Sequence, residues 1–257
     1  MVPSGYVDEV IGALFDEAVE PKIAVIGVGG AGGNVVSAIY DSELKGVETV
    51  AVNTDPSGLT RVSAEMKVLL HPDETDSVEA AAAAAQAAEE PLREVLGCDI
   101  AFIVAGLGGA AGTGAAPVVA SIAKSAGAVA IGVAILPLTL EGRDERAAAG
   151  LARLRDVADT VVIVDNNSLQ KVADSMPFRE AAALVSKMVQ AIIEGVLGHL
   201  QRSYYSTLAE EVESVAREVE AEVAAPIGVQ VVASPTIEAA WEMGPVGFGD
   251  DGYIGLR

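Results

Sequence analysis

Along the chain, short apolar runs alternate with stretches in which apolar residues recur every three or four positions, and glycines mark many of the junctions. The run KIAVIGVGG (22–30) reads as a strand ending in glycines, and NVVSAIYDSE (34–43) follows with the helical spacing of Val35, Ala38 and Ile39. GVETVAVNTD (46–55) is a second strand, and KVLLHPDETD (67–76) a short third strand with its loop. SVEAAAAAAQAAEEPLREVL (77–96) is helical by propensity, with Pro91 predicting either a kink or a second helix start. DIAFIVAGLGG (99–109) is a buried-type strand, and GAAPVVASIAKSAG (114–127) is the helix after it, with Pro117 in its first turn. AVAIGVAILPL (128–138), RDERAAAGLARLRDVA (143–158) and DTVVIVDNNSLQ (159–170) add strand, helix and strand.

Six strands alternating with helices in this way predict an α/β fold. Its sheet is doubly wound and mostly parallel, and any ligand lies at the carboxyl ends of the strands. Residues 177–226 carry one long helical pattern, with Ile192, Val196, Leu200, Tyr204, Leu208, Val212, Val215 and Val219 at steps of three and four, stopped by Pro226. It reads as a helix packed along the domain and running past it, or as a coiled-coil contact with another chain. The expected organisation is an N-terminal helical extension over 1–21, the α/β domain over 22–198, and a helical extension with a short tail over 199–257. Within that tail, 227–257 offers a strand, a short helix and a glycine-rich end.

Composition narrows the partners. With 257 residues, 51% of them hydrophobic, the chain can bury a large core. Its formal charge of −21, from 16 Lys and Arg against 37 Asp and Glu, argues against nucleic acid or an anionic membrane surface as the main partner. Such acidity fits life in high salt as well as ordinary solubility. The single cysteine, Cys98, excludes an internal disulfide and fits a reducing cytoplasm, where the protein is expected; its place before an apolar strand reads as core. The uncharged stretch from Ile100 to Ile122 is the candidate membrane span, but its glycines and Pro117 break it into pieces of strand length, so no span is expected. His71 and His199 stand alone and read as structural or solvated.

The chemistry sits in two glycine loops. In GVGGAGGN (27–34), Gly27, Gly29 and Gly32 have the G-x-G-x-x-G spacing, which lets backbone N–H groups and a helix N-terminus approach phosphate oxygens. A dinucleotide site would need an acid at the end of the second strand, where Asn53 stands, with Asp55 two residues on. The second loop, GLGGAAGTG (106–114), has no place in that scheme. A Walker loop is excluded too, because no lysine or arginine lies between Gly106 and Lys124. What remains is a polyphosphate gripped between two glycine loops by backbone dipoles, with a magnesium ion offsetting its charge.

These loops resemble those of the tubulin/FtsZ GTPases, the FtsZ branch in particular. Gly108, Gly109, Ala110, Ala111, Gly112, Thr113 and Gly114 match the family's G-G-G-T-G-[ST]-G loop with two alanine replacements. IGVGGAGGN is similar to its first nucleotide loop, which implicates Gly29, Gly30, Gly32, Gly33 and Asn34; AVNTD is similar to its second, with Asn53 and Asp55 at the strand end. PLTLEGRDER (137–146) resembles the P-F-x-x-E-G-x-x-R segment that faces the ribose, so Glu141 and either Arg143 or Arg146 are implicated; VVIVDNNSL resembles V-I-P-N-D-x-L, whose asparagine reads guanine, here Asn166.

The resemblance spans about residues 22–197 and implies the family's GTPase-domain fold with a long central helix, bound GTP or GDP with Mg²⁺, cytoskeletal assembly and cell division. Where the family's central helix presents a phenylalanine and an aspartate to the base, this chain has Ala182 and Ser186, and Ala111 replaces a loop threonine. The segment LLHPDETDSVEAAA is short and acidic where the family has a long glycine-rich loop. An N-x-D-x-x-D activating loop and a second domain are not recognisable in 200–257, so hydrolysis is expected to be slow or to depend on a partner, and no catalytic residue or protein metal site is singled out. The expectation is thus an FtsZ-like nucleotide-binding protein with a possible homo-oligomer or filament partner. The alternatives are a non-hydrolysing interaction protein that regulates a filament and, more distantly, a Rossmann-type dinucleotide enzyme.

Overall fold

A computed structural model describes residues 21–71, 77–168 and 178–224. The expected N-terminal helix, the loop at 72–76 and the elements expected in 227–257 lie outside the described residues. The chain divides into two compact units, Val19–Tyr204 and Met1–Ala18 with Tyr205–Arg257. The first holds the sheet; of the second, only the helical residues 205–224 are described.

The strands are β1 (Ile23–Val28), β2 (Val47–Asn53), β3 (Met66–Leu69), β4 (Ile100–Gly106), β5 (Val129–Leu136) and β6 (Thr160–Asp165). The helices are α1 (Gly29–Asp41), α2 (Pro56–Thr60), α3 (Val78–Ala87), α4 (Glu89–Val95), α5 (Ala110–Ser125), α6 (Asp144–Val157) and α7 (Phe178–Ala224). All strand pairings are parallel, in the order β3-β2-β1-β4-β5-β6. The six-stranded, doubly wound sheet is therefore as expected, and the chain reverses its direction of winding between β1 and β4. That is where an open α/β sheet leaves a crevice for a ligand.

Alternation along the strands divides the core between the two faces. Ala24, Ile26, Val28, Ile103 and Ala105 point to one face, under α3, α4, α5 and α6, with Leu92, Val119 and Leu154 buried against them. Val25, Phe102, Val104 and Val133 point to the other, under Val35, Val36 and Ile39 of α1 and Val189, Ile193 and Leu197 of α7. The window Ala183–Leu200 of α7 is long and apolar enough to cross a membrane by length and composition, and its Val189, Ile193 and Leu197 are buried against the sheet. The stretch from Ile100 to Ile122 is a packed strand–helix junction.

Two helices start earlier than the pattern predicts. The helix expected at 34–43 begins at Gly29, and the one expected at 114–127 begins at Ala110, so Pro117 lies inside α5 and not in its first turn. The cause is tertiary. A Cβ at Gly32 would overlap the Val104 carbonyl, one at Gly112 the Gly106 carbonyl and one at Gly114 the Val78 carbonyl. Without side chains there, both first turns press directly onto the strand ends, and residues that read as loop are wound into helix. Pro91 falls in α4, whose start at Glu89 follows a break at Ala88; it marks a second helix, not a kink.

Candidate functional site

Strands β1 and β4 are neighbours in register, with Val28 beside Ala105, so the chain leaves both at the same height. The two glycine segments therefore meet. A Cβ on Gly29 would stand 3.1 Å from the Gly112 nitrogen, and one on Gly106 would stand 2.6 Å from the Ala31 methyl. Gly29 (φ 75°) and Gly108 (φ 99°) take the left-handed conformation that admits glycine at little cost.

The glycines serve two different ends. Gly27, Gly32, Gly33, Gly106, Gly112 and Gly114 are needed for packing, since a Cβ at any of them would collide with a neighbour. Gly30 and Gly109 face open space, with nothing within 4 Å of a Cβ, so the fold itself gives no reason for glycine there. Gly30 and Asn34 are exposed on the first turns of α1, while Ala110 and Ala111 are buried at the start of α5. Two helix N-termini with unsatisfied N–H groups thus open side by side, and neither first turn holds an acidic residue. In a chain this acidic, that makes a local electropositive patch.

Thr113 points inward. It is fully buried, and its hydroxyl accepts the Gly108 N–H at 2.8 Å, so it ties the loop to the helix it opens. Asn53 is also buried; its Oδ1 accepts the N–H groups of Thr54 (2.9 Å) and Asp55 (3.3 Å). Asp55 caps α2, accepting from the N–H groups of Ser57 and Gly58 at 2.9 Å each. These two side chains shape the turn at the end of β2.

The rim of the second loop is built by the turn after β5. Glu141 accepts the Leu138 N–H at 3.0 Å and lies 3.5 Å from the Arg143 guanidinium. A Cβ on Gly108 would lie 3.0 Å from that of Arg143, and Arg146 donates to the Gly108 carbonyl at 3.5 Å. Both arginines considered from sequence therefore stand at Gly108.

At the end of β6, Asn166 keeps its Oδ1 buried with no hydrogen-bond partner. A buried acceptor left unpaired is costly and calls for an explanation. Its neighbours Asp165 and Asn167, which the motif did not single out, are both engaged. The Asn167 N–H, and next the Ser168 hydroxyl and the Asn167 amide, hold the Asp165 carboxyl below the usual carboxylate range. The D-N-N-S run at a strand end was the available signal, since Asp and Asn there bond local backbone. Ser186 is buried in α7, and the Ala182 side chain lies outside the described residues. Cys98 is half-buried, and burial followed by the charges of Asp99 and Glu48 pushes its thiol up, which leaves it a core residue and not a thiolate.

Two uncapped helix starts side by side at the switch point of a six-stranded parallel sheet define an α/β domain of the doubly wound class. A model of the Tubulin/FtsZ family, GTPase domain, matches residues 22–174, and the chain belongs to that family. It is 37% identical over 191 residues to cell division protein FtsZ 2 of Methanocaldococcus jannaschii, covering 71% of this chain and 50% of that protein. It is 36% identical over 189 residues to FtsZ 2 of Halobacterium salinarum, covering 70% and 48%. Among solved structures it is similar to an empty FtsZ dimer of M. jannaschii, with a TM-score of 0.68, 33% identity and coverage of 75% of this chain and 58% of that one. The chain spans about half the length of the curated relatives it matches.

Proposed function

We propose that this chain binds GDP or GTP in the crevice between α1 and α5, in the cytoplasm, as part of a filament-forming system of the cell-division kind. The phosphates lie against Gly29–Gly33 and Gly108–Gly114, the ribose against Glu141 and Arg143, and the base against Asn166. The observation that carries this reading is the pairing of two side-chain-free helix starts on adjacent strands, open at Gly30 and Gly109, with an orphaned buried acceptor at Asn166. The residues fit a nucleotide on that ground. Among the described residues no group of three or more His, Cys, Asp or Glu could hold a metal, so Mg²⁺ would be recruited through the phosphates.

Hydrolysis is read as slow or dependent on a partner. A second reading, a nucleotide-holding protein without turnover that regulates a filament, is favoured by Ala111, whose methyl stands where the family's loop has a hydroxyl. Phosphate release from GTP measured against protein concentration, with pelleting in parallel, separates the two. A cooperative rise in release supports assembly that completes a site, whereas tight GDP binding without release supports the second reading. Binding of NAD in place of either guanine nucleotide overturns both.

A further inference from the structure

We propose that Asp165 and Asn167 are positioning residues that lock the ribose-side turn to the base-side turn of this site, and so hold Asn166 with its acceptor ready for a ligand. The inference rests on the functional reading above. Asn167 reaches from the end of β6 to the turn after β5. Its Oδ1 accepts the Thr139 N–H at 2.8 Å and the Thr139 hydroxyl at 3.0 Å, and its Nδ2 donates to the Pro137 carbonyl at 3.3 Å. Among the described residues, these three bonds are the side-chain links between the two turns. The same Nδ2 donates to Asp165 Oδ1 at 3.0 Å, which also accepts the Asn167 N–H at 2.9 Å, while Asp165 Oδ2 accepts the Ser168 hydroxyl at 3.0 Å.

The chemistry of each position is specified. Position 167 must accept and donate at once, which a neutral amide does and a carboxylate does not. Position 165 must accept on both oxygens, which suits a carboxylate. Asn166 lies between two residues whose backbone and side chains are committed, so its own conformation is held while its Oδ1 stays unpaired. Glu141 and Arg143 lie on the turn that Asn167 grips, so one side chain sets the spacing of the ribose and base contacts. The phosphate-facing glycines follow β1 and β4, at the starts of α1 and α5, and among the described residues they share no hydrogen bond with Asp165 or Asn167.

The test is calorimetric titration of GDP and of inorganic pyrophosphate into the full chain and its variants at neutral and mildly acidic pH. Asn167→Asp removes both amide N–H donors, to Pro137 and to Asp165, and sets a second carboxylate against Asp165. Losing the crossing bond to the Pro137 carbonyl, with two carboxylates now facing each other, weakens GDP binding about tenfold at neutral pH, with pyrophosphate binding unchanged. Lowering the pH, so that the two carboxylates share a proton, narrows the loss. Adding Asp165→Asn to Asn167→Asp removes the facing carboxylate and recovers part of the GDP affinity at neutral pH, while the missing donor to the Pro137 carbonyl keeps it below wild type. Wild-type affinity in Asn167→Asp, an equal loss of GDP and pyrophosphate, or no recovery in the double variant overturns the clamp. Wild-type protein that binds pyrophosphate but no guanine nucleotide, or neither, overturns the functional reading and the clamp with it.

Discussion

Replacing Thr113 by valine tests whether the second glycine segment is held in shape by one hydroxyl. Valine keeps the volume and branching of threonine, so the methyl packed against Gly150 is preserved and only the hydroxyl is lost. The Gly108 N–H, buried and bonded to that hydroxyl at 2.8 Å, is then left without its acceptor. A buried donor stripped of its partner costs about 1–3 kcal/mol. For a domain of this size about 2 kcal/mol lowers the melting temperature by roughly 4–8 °C. Freed of its tie, Gly108 no longer holds a fixed left-handed turn over the site, and GDP affinity falls about tenfold, or about 1.4 kcal/mol. Thr113→Ser is the control: it keeps the hydroxyl and loses one methyl, at about 1 kcal/mol, with GDP affinity retained. Melting curves and GDP titrations of the three proteins decide the matter. If the valine variant melts with the wild type and binds GDP equally well, or if serine proves as damaging to binding as valine, the hydroxyl does not hold the loop.

Three further outcomes follow from the same geometry. Gly30→Ala, with open space around its new methyl, should leave the fold intact or gain up to about 1 kcal/mol of helix propensity, yet weaken GDP binding; unchanged affinity would place the phosphates elsewhere. Gly106→Ala should do the reverse first, costing about 1–3 kcal/mol by forcing apart the two segments that meet at Ala31, which a denaturant titration reads directly. Asp165, held ionised by the Asn167 N–H and the Ser168 hydroxyl, has a folded pKa below its unfolded one. Its stabilisation is therefore complete above the unfolded value and is lost as pH falls through the lowered folded value. The melting-temperature gap between wild type and Asp165→Asn should be widest near neutrality and close on acidification; a gap constant with pH would refute this.

Much of the fold was legible because period and punctuation are local properties. KIAVIGV and DIAFIVAG could only be buried strands, and the helical spacing between them required crossovers, hence parallel pairing and a doubly wound sheet. The order of motifs pointed to a single family, and the glycine segments were legible as the ends of strands that lead into helices. Less legible was what each glycine does. Gly32 and Gly112 look like Gly30 and Gly109 in sequence, but the first pair is demanded by carbonyls of β4, a strand distant in the chain from α1. Helix starts were misplaced for the same reason, since glycine predicts loop until packing supplies the contact that winds it.

Sequence alone therefore determined the class of the fold, the places where strands end in glycine, and the residue types available to a ligand, because these follow from side-chain chemistry and short-range periodicity. Tertiary structure decided which of those residues the protein keeps for itself. Thr113 turns inward to hold Gly108, Asn53 and Asp55 close their own turn, and Asn167 bridges two strand ends; Asn166, identical in type to its neighbour, is left with a buried acceptor unpaired. The physical reason is that hydrogen-bond satisfaction depends on which groups the register of β1, β4, β5 and β6 brings within about 3 Å of one another.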